Sequence, residues 1–172
     1  MSQIAALLEP LVPALRRYAF ALTRDHPAAD DLVQDTLERA ISRWMLRAGD
    51  AELRAWLFAI LHNLFIDGRR AHRRRPPHDK LDDETDQAGS PATQEAGLIG
   101  RDMLAQFGAL SEEHQAILLL IGVEGLAYAS AARVLGVPLG TVMSRLSRAR
   151  EQFRRLLDQE RVATRPDLRR IK

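Results

Sequence analysis

The stretch PLGTVMSRLSRAREQFRRLL, residues 138–157, holds five arginines and one acid. Val142, Leu146, Ala149, Phe153, Leu156 and Leu157 recur at steps of three and four, which gathers them on one side of a helix. Thr141, Ser144, Arg145, Arg148, Gln152 and Arg155 fall on another side. One face suits a core, and the other presents hydroxyls, an amide and guanidinium forks. Alone, such a helix is more often a solvated amphipathic surface than a binding element. The preceding residues change that reading. AYASAARVLGVP, residues 127–138, reads as a short helix ending at Gly136, with Pro138 at the first turn of the next helix. Ala129, Ala131 and Ala132 let the two helices approach, and Gly136 permits a positive φ in the turn. A short helix, a tight turn and a long basic helix make a helix-turn-helix, whose second helix enters the DNA major groove.

Working outward, the 172 residues suffice for one domain or two small ones. Ala, Leu, Arg and Glu dominate without β-branched runs, so the expected class is all-α. The absence of cysteine excludes disulfides, thiolate metal sites and cysteine nucleophiles. The five histidines (His26, His62, His72, His78, His114) are scattered, and no glycine-rich phosphate loop appears. We therefore expect no metal, no cofactor and no catalytic residue. The opening MSQIAALLEPLVPALRR lacks the layout of a signal peptide, and no apolar run approaches the ~20 residues of a membrane span. The expectation is a cytoplasmic protein without membrane insertion.

A net charge of +2 conceals strong segregation. Acids gather at Asp25, Asp30, Asp31, Asp35 and Glu38, while five arginines crowd into residues 69–75. Between the basic cluster and the right-hand part lies PPHDKLDDETDQAGSPATQ, residues 76–94, without periodicity and rich in Pro, Asp, Gly and Ser. It reads as a flexible acidic linker. Its Asp79, Asp82, Asp83, Glu84 and Asp86 are placed to fold back on the neighbouring arginines when DNA is absent. The predicted organisation is two small helical domains at 1–75 and 95–160, a linker at 76–94 and a basic tail at 161–172. In the left domain one helix is predicted from Pro10, a second from Pro27 and a third from Leu53 into the arginines. In the right domain Leu98, Ile99, Met103, Leu104 and Phe107 suggest a helix, and Ser111 caps the next.

Three blocks then acquire a common meaning. DDLVQDTLERA (30–40), LRAWLFAILHNLFIDGRRAHRRR (53–75) and GTVMSRLSRAR (140–150) resemble, in order and separation, the extracytoplasmic-function group of bacterial sigma factors. The resemblance spans roughly Pro10 to Leu157. The third block is shared with other helix-turn-helix regulators; the first two together are more specific. The resemblance implies an initiation specificity factor that brings core RNA polymerase to promoter DNA, reads −35 as duplex and captures −10 as single strand. It also implies an anti-sigma factor as partner. By position, Asp30, Asp31, Leu32, Val33, Gln34 and Asp35 match the segment that grips the polymerase clamp helices. Arg54, Trp56 and Asn63, with the loop at 47–52, match the −10 region, and Arg69, Arg70, Arg73 and Arg74 suit phosphates around the melted segment. Trp56 lies on the apolar stripe and reads as core with partial exposure, whereas Asn63 has no evident structural reason. Thr141, Ser144, Arg145 and Arg148 match the −35-reading helix. The chain departs from the group at residues 128–132, where Tyr-Ala-Ser-Ala-Ala replaces the usual Tyr-x-Glu-Ile-Ala.

Two other readings stay open at this level. A helical regulator could bind DNA without polymerase, against which the acidic block and the −10-like block argue. A sigma mimic could bind only an anti-sigma partner, against which the retained arginines argue.

Overall fold

The computed structural model describes residues 2–46, 52–74 and 103–163, and among them every regular element is helical. The expected linker, the loop at 47–51, Arg75, Leu98, Ile99 and the tail from 164 lie outside the described residues. The left half comprises α1 (Ser2–Leu8), a 3-10 turn (Glu9–Leu11), α2 (Val12–Thr23), α3 (His26–Ser42), a second 3-10 turn (Trp44–Leu46) and α4 (Leu53–Arg74). The right half comprises a helical segment at 103–108 (α5), α6 (Glu112–Leu118) continuing as a π-helical turn (Leu119–Val123), α7 (Tyr128–Leu135) and α8 (Leu139–Ala163).

Local chemistry sets the boundaries. Arg24 closes α2 in a left-handed conformation, φ 58°, with its backbone N–H donating to the Phe20 carbonyl at 2.7 Å. Asp25 then caps α3, its carboxylate accepting from Ala28 N–H at 2.8 Å, with Pro27 in the first turn. Ser111 caps α6 through His114 N–H, as its sequence position predicts. Gly136 ends α7 at φ 63°, the conformation expected of the turn before the long helix. One element was not foreseen. α1 precedes the predicted start at Pro10, and Leu8 at its end is buried against the left core.

Leu15, Tyr18, Leu57, Phe58 and Leu61 are wholly buried where α2 and α4 pack with α3. Burying side chains of this size stabilises by about 1.5–3 kcal/mol each. Tyr18 meets Phe58 edge to face, with ring centroids 5.3 Å apart. In the right half Ala116, Ile117, Leu120, Val142, Leu146 and Ala149 are buried where α6 and α7 lie on α8. Phe107 of α5 reaches Phe153 of α8, again edge to face at 5.9 Å. Gln115 is buried yet satisfied, its amide donating to the carbonyls of Leu110 and Gly108.

The two halves are docked: α4 lies against α7, α2 against α6, and buried apolar residues of both halves form one continuous cluster. A tethered pair need not pack in this way. Beside the shared apolar cluster, arginines of the left half meet glutamates of the right half across the contact.

Candidate polymerase and nucleic-acid interfaces

Residues 30–35 sit mid-way along α3. Val33 is buried in the left core and Leu32 half-buried, so neither presents a free side chain to a partner. Asp30, Asp31, Gln34 and Asp35 are exposed. Asp30 is paired with Arg16 at 3.0 Å, and the Gln34 amide donates to Glu38 at 3.1 Å. What remains is an acidic, amide-bearing face over an apolar stripe.

α4 divides the predicted −10 residues into two faces. Positions 56, 63, 70 and 74 are separated by nearly whole helical turns and align along one side. There Asn63, Arg70 and Arg74 are exposed. Trp56 is half-buried, as its stripe position predicts, and meets Trp44 at 6.5 Å between centroids. Arg54, Arg69 and Arg73 point elsewhere, to the right half. Arg54 donates to the Glu124 carbonyl at 2.8 Å and its carboxylate at 2.9 Å. Its guanidinium also lies 5.8 Å from the Phe58 ring centroid. Arg69 pairs with Glu112, and Arg73 approaches the same carboxylate at 3.6 Å. Among the described residues the acid that meets the arginine cluster is Glu112, while Glu124 holds Arg54; the linker acids predicted to meet the cluster lie outside the described residues.

The reading helix shows a similar division. Ser144 and Arg148 are exposed, Arg148 making only weak hydrogen bonds to the Ser144 carbonyl and hydroxyl. Thr141 is half-buried. Arg145 is turned inward to Glu113 at 3.3 Å, and Gln152 bonds His114 at 2.8 Å. Both therefore help dock α8 on α6, and Arg145 does not lie free on the outer face. Sequence reasoning missed Met143 and Ser147, which are exposed between Ser144 and Arg150. Tyr128, Met143, Ser147, Arg150 and Arg154 line a shallow groove of about 360 Å³ beside them. The available signal was that Met143 lies off the apolar stripe of Val142, Leu146 and Ala149. The missing family acid at position 130 has a local consequence: Ser130 Oγ accepts from Arg133 at 3.2 Å, while Arg133 also pairs with Glu52.

One titratable pair lies inside the left bundle. Burial lowers the His62 pKa to about 4 and raises that of Tyr18, whose hydroxyl lies 3.1 Å from His62 Nδ1. Among the described residues no group of His, Asp or Glu could hold a metal ion, and no helix is long and apolar enough to cross a membrane.

Comparison with known proteins adds a consistent set of likenesses. Residues 8–62 match the family described as the Sigma2 domain of PhyR, and residues 101–153 match Sigma-70, region 4. The chain is 37% identical over 146 residues to the ECF RNA polymerase sigma factor EcfG of Rhodopseudomonas palustris, covering 85% of this chain and 80% of the relative. It is also 37% identical over 163 residues to the ECF RNA polymerase sigma factor SigL of Mycobacterium tuberculosis, covering 90% and 88%. Among solved structures, the sigma factor RpoE in complex with the anti-sigma factor NepR from Bartonella quintana superposes with a TM-score of 0.74 at 32% identity, over 92% of this chain and 98% of that one. CnrH in complex with the cytosolic domain of CnrY follows at 0.68 and 26% identity, over 91% and 88%.

Proposed function

The chain belongs to the ECF RNA polymerase sigma factors, which direct core polymerase to promoters, and from that premise we propose a role for each exposed face. The observation that carries the proposal is the separation of one acidic face on α3 from two basic faces on α4 and α8. A sigma factor needs that division, because one partner is protein and the other is a polyanion.

Asp31, Gln34 and Asp35 bind the basic surface of the polymerase clamp, with Asp30 available once Arg16 is displaced. Trp56, Asn63, Arg70 and Arg74 hold the melted −10 strand: the indole offers a stacking surface, the amide a base edge, and the guanidinium groups meet phosphates. Ser144 and Arg148 approach the −35 duplex, joined by Met143 and Ser147, with the half-buried Thr141 in the first turn beside them. No residue is assigned a catalytic role; the polymerase supplies the chemistry. The protein works in the cytoplasm, where polymerase and promoter are found. An anti-sigma factor is a third partner, consistent with the complexes in which the similar RpoE and CnrH chains were solved.

A second reading is a sigma-like chain that binds an anti-sigma partner and never polymerase: the left half matches the Sigma2 domain of PhyR, a protein solved as an anti-anti-sigma factor in complex with the anti-sigma factor NepR. Co-elution with purified core polymerase separates the two. A stable complex that dissociates when Asp31 and Asp35 are both changed to Arg supports the sigma assignment. Absence of any complex with the unaltered chain rejects it.

A further inference from the structure

Glu124 is an unusual residue for a domain boundary. It follows a π-helical turn: Glu124 N–H donates to the Leu119 carbonyl five residues back, and Leu126 N–H closes the turn on the Leu120 carbonyl, each at 2.8 Å. Such turns are rare and concentrate at functional positions. The carboxylate is almost wholly buried, with side-chain exposure of 1%. Burial of an acid demands paired, hydrogen-bonded partners. Both come from the other half of the molecule. Arg17 of α2 donates through Nε and a terminal nitrogen to the two carboxylate oxygens at 3.2 and 3.1 Å, and Arg54 of α4 donates to one of the same oxygens and to the Glu124 carbonyl. Arg69 and Arg73 meet Glu112 on the same side of the contact.

We propose that Glu124 is an intramolecular latch: by holding Arg17 and Arg54 it closes the helix-turn-helix half onto α4, so that promoter DNA must compete with the chain's own carboxylates for Arg54, Arg69 and Arg73. The competition half of this proposal rests on the expectation from the resemblance that Arg54, Arg69 and Arg73 join the −10 contacts once the halves part; closure does not. The chemistry is symmetrical, because guanidinium forks recognise carboxylate and phosphate alike. Opening the latch leaves neither guanidinium stranded in the core. Arg17 and Arg54 side chains keep 57% and 45% exposure in the closed form and can hydrate when released. The free protein is thereby held compact until polymerase, with its widely separated promoter contacts, makes the open form more favourable.

The chain has no cysteine, so Ser42→Cys on α3 and Gln159→Cys on α8 give a clean pair of dye sites in the full-length protein. Energy transfer reports closure. Anisotropy of a short random-sequence single-stranded oligonucleotide reports access to the arginines. Glu124→Gln and Arg17→Gln are each placed in this background, with circular dichroism confirming unchanged helix content. Both variants should lower transfer and raise single-strand affinity by roughly tenfold at low salt, as loss of charge-assisted hydrogen bonds implies. The affinity gap should narrow as salt screens both competitors. Unchanged transfer in both variants overturns the latch. Lowered transfer with unchanged affinity overturns the competition. Arg54→Ala added to the Glu124→Gln chain then identifies the fault: retained affinity means that Arg54 does not touch nucleic acid, and reduced affinity means that it does but is not withheld by Glu124.

Discussion

Tyr18 and His62 face each other across the left bundle, with the phenolic oxygen 3.1 Å from Nδ1 and no third polar group completing the contact in the hydrogen bonds described. Both side chains are buried, so the imidazole stays neutral in the folded protein. The unfolded chain accepts a proton near pH 6.5, whereas the folded one resists until about pH 4. Below pH 6.5 the unfolded state thus binds more protons, and stability falls as pH falls. The contribution present above pH 6.5 amounts to about 3 kcal/mol and is lost progressively towards pH 4. His62→Gln keeps a polar partner for Tyr18 and has no proton to take. Urea unfolding at intervals between pH 6.5 and 5 should show a steeper loss for the unaltered protein than for the variant.

Asn63→Ala should leave −35 duplex binding intact while reducing open-complex formation. Its amide is exposed on the same side of α4 as Arg70 and Arg74 and carries no packing role. Permanganate reactivity of thymines near the start site reads the melted region directly. Unchanged reactivity would remove Asn63 from the strand-holding face.

Arg148→Ala should weaken −35 duplex binding by about 1–3 kcal/mol if the guanidinium contacts a base edge, with the loss confined to the preferred sequence. An equal loss on every duplex would assign it to phosphate. The fold should be untouched, because its hydrogen bonds are long and lie within one helical turn. Arg145→Ala should behave differently: it breaks the pairing with Glu113 and loosens α8 on α6, lowering thermal stability along with DNA binding.

The contrast between Arg148 and Arg145 marks where sequence reading ends. Helical period placed the stripe Val142–Leu146–Ala149 correctly, and the cap at Ser111 and the helix end at Gly136 followed from their residue types. Period alone cannot say which polar flank of the stripe meets a neighbouring helix and which meets solvent. Arg145 and Gln152 therefore read as outward, although Glu113 and His114 hold them to α6. Glu124 was still less legible. An acid after the run LLLIGV looks like the solvated end of a helix, and nothing local announces a π-helical turn or partners 107 and 70 residues away. Likewise the alignment of Trp56 with Asn63, Arg70 and Arg74 was implicit in the spacing, but the diversion of Arg54, Arg69 and Arg73 required the docked right half.

Asp31→Arg with Asp35→Arg should abolish co-elution with core polymerase while leaving helix content and melting temperature nearly unchanged, since both side chains are exposed and make no ion pair among the described residues. Surface substitutions away from packed features usually change stability by less than about 0.5 kcal/mol. Large destabilisation would instead mean that the α3 face supports the fold.

Run-off transcription with purified core polymerase on a promoter library tests the sigma assignment most directly. Addition of this chain should produce transcripts from a defined subset of templates sharing spaced −35 and −10 elements, and Asn63→Ala should reduce their yield without changing which templates are chosen. Polymerase binding without any promoter-specific transcript across the library would contradict it.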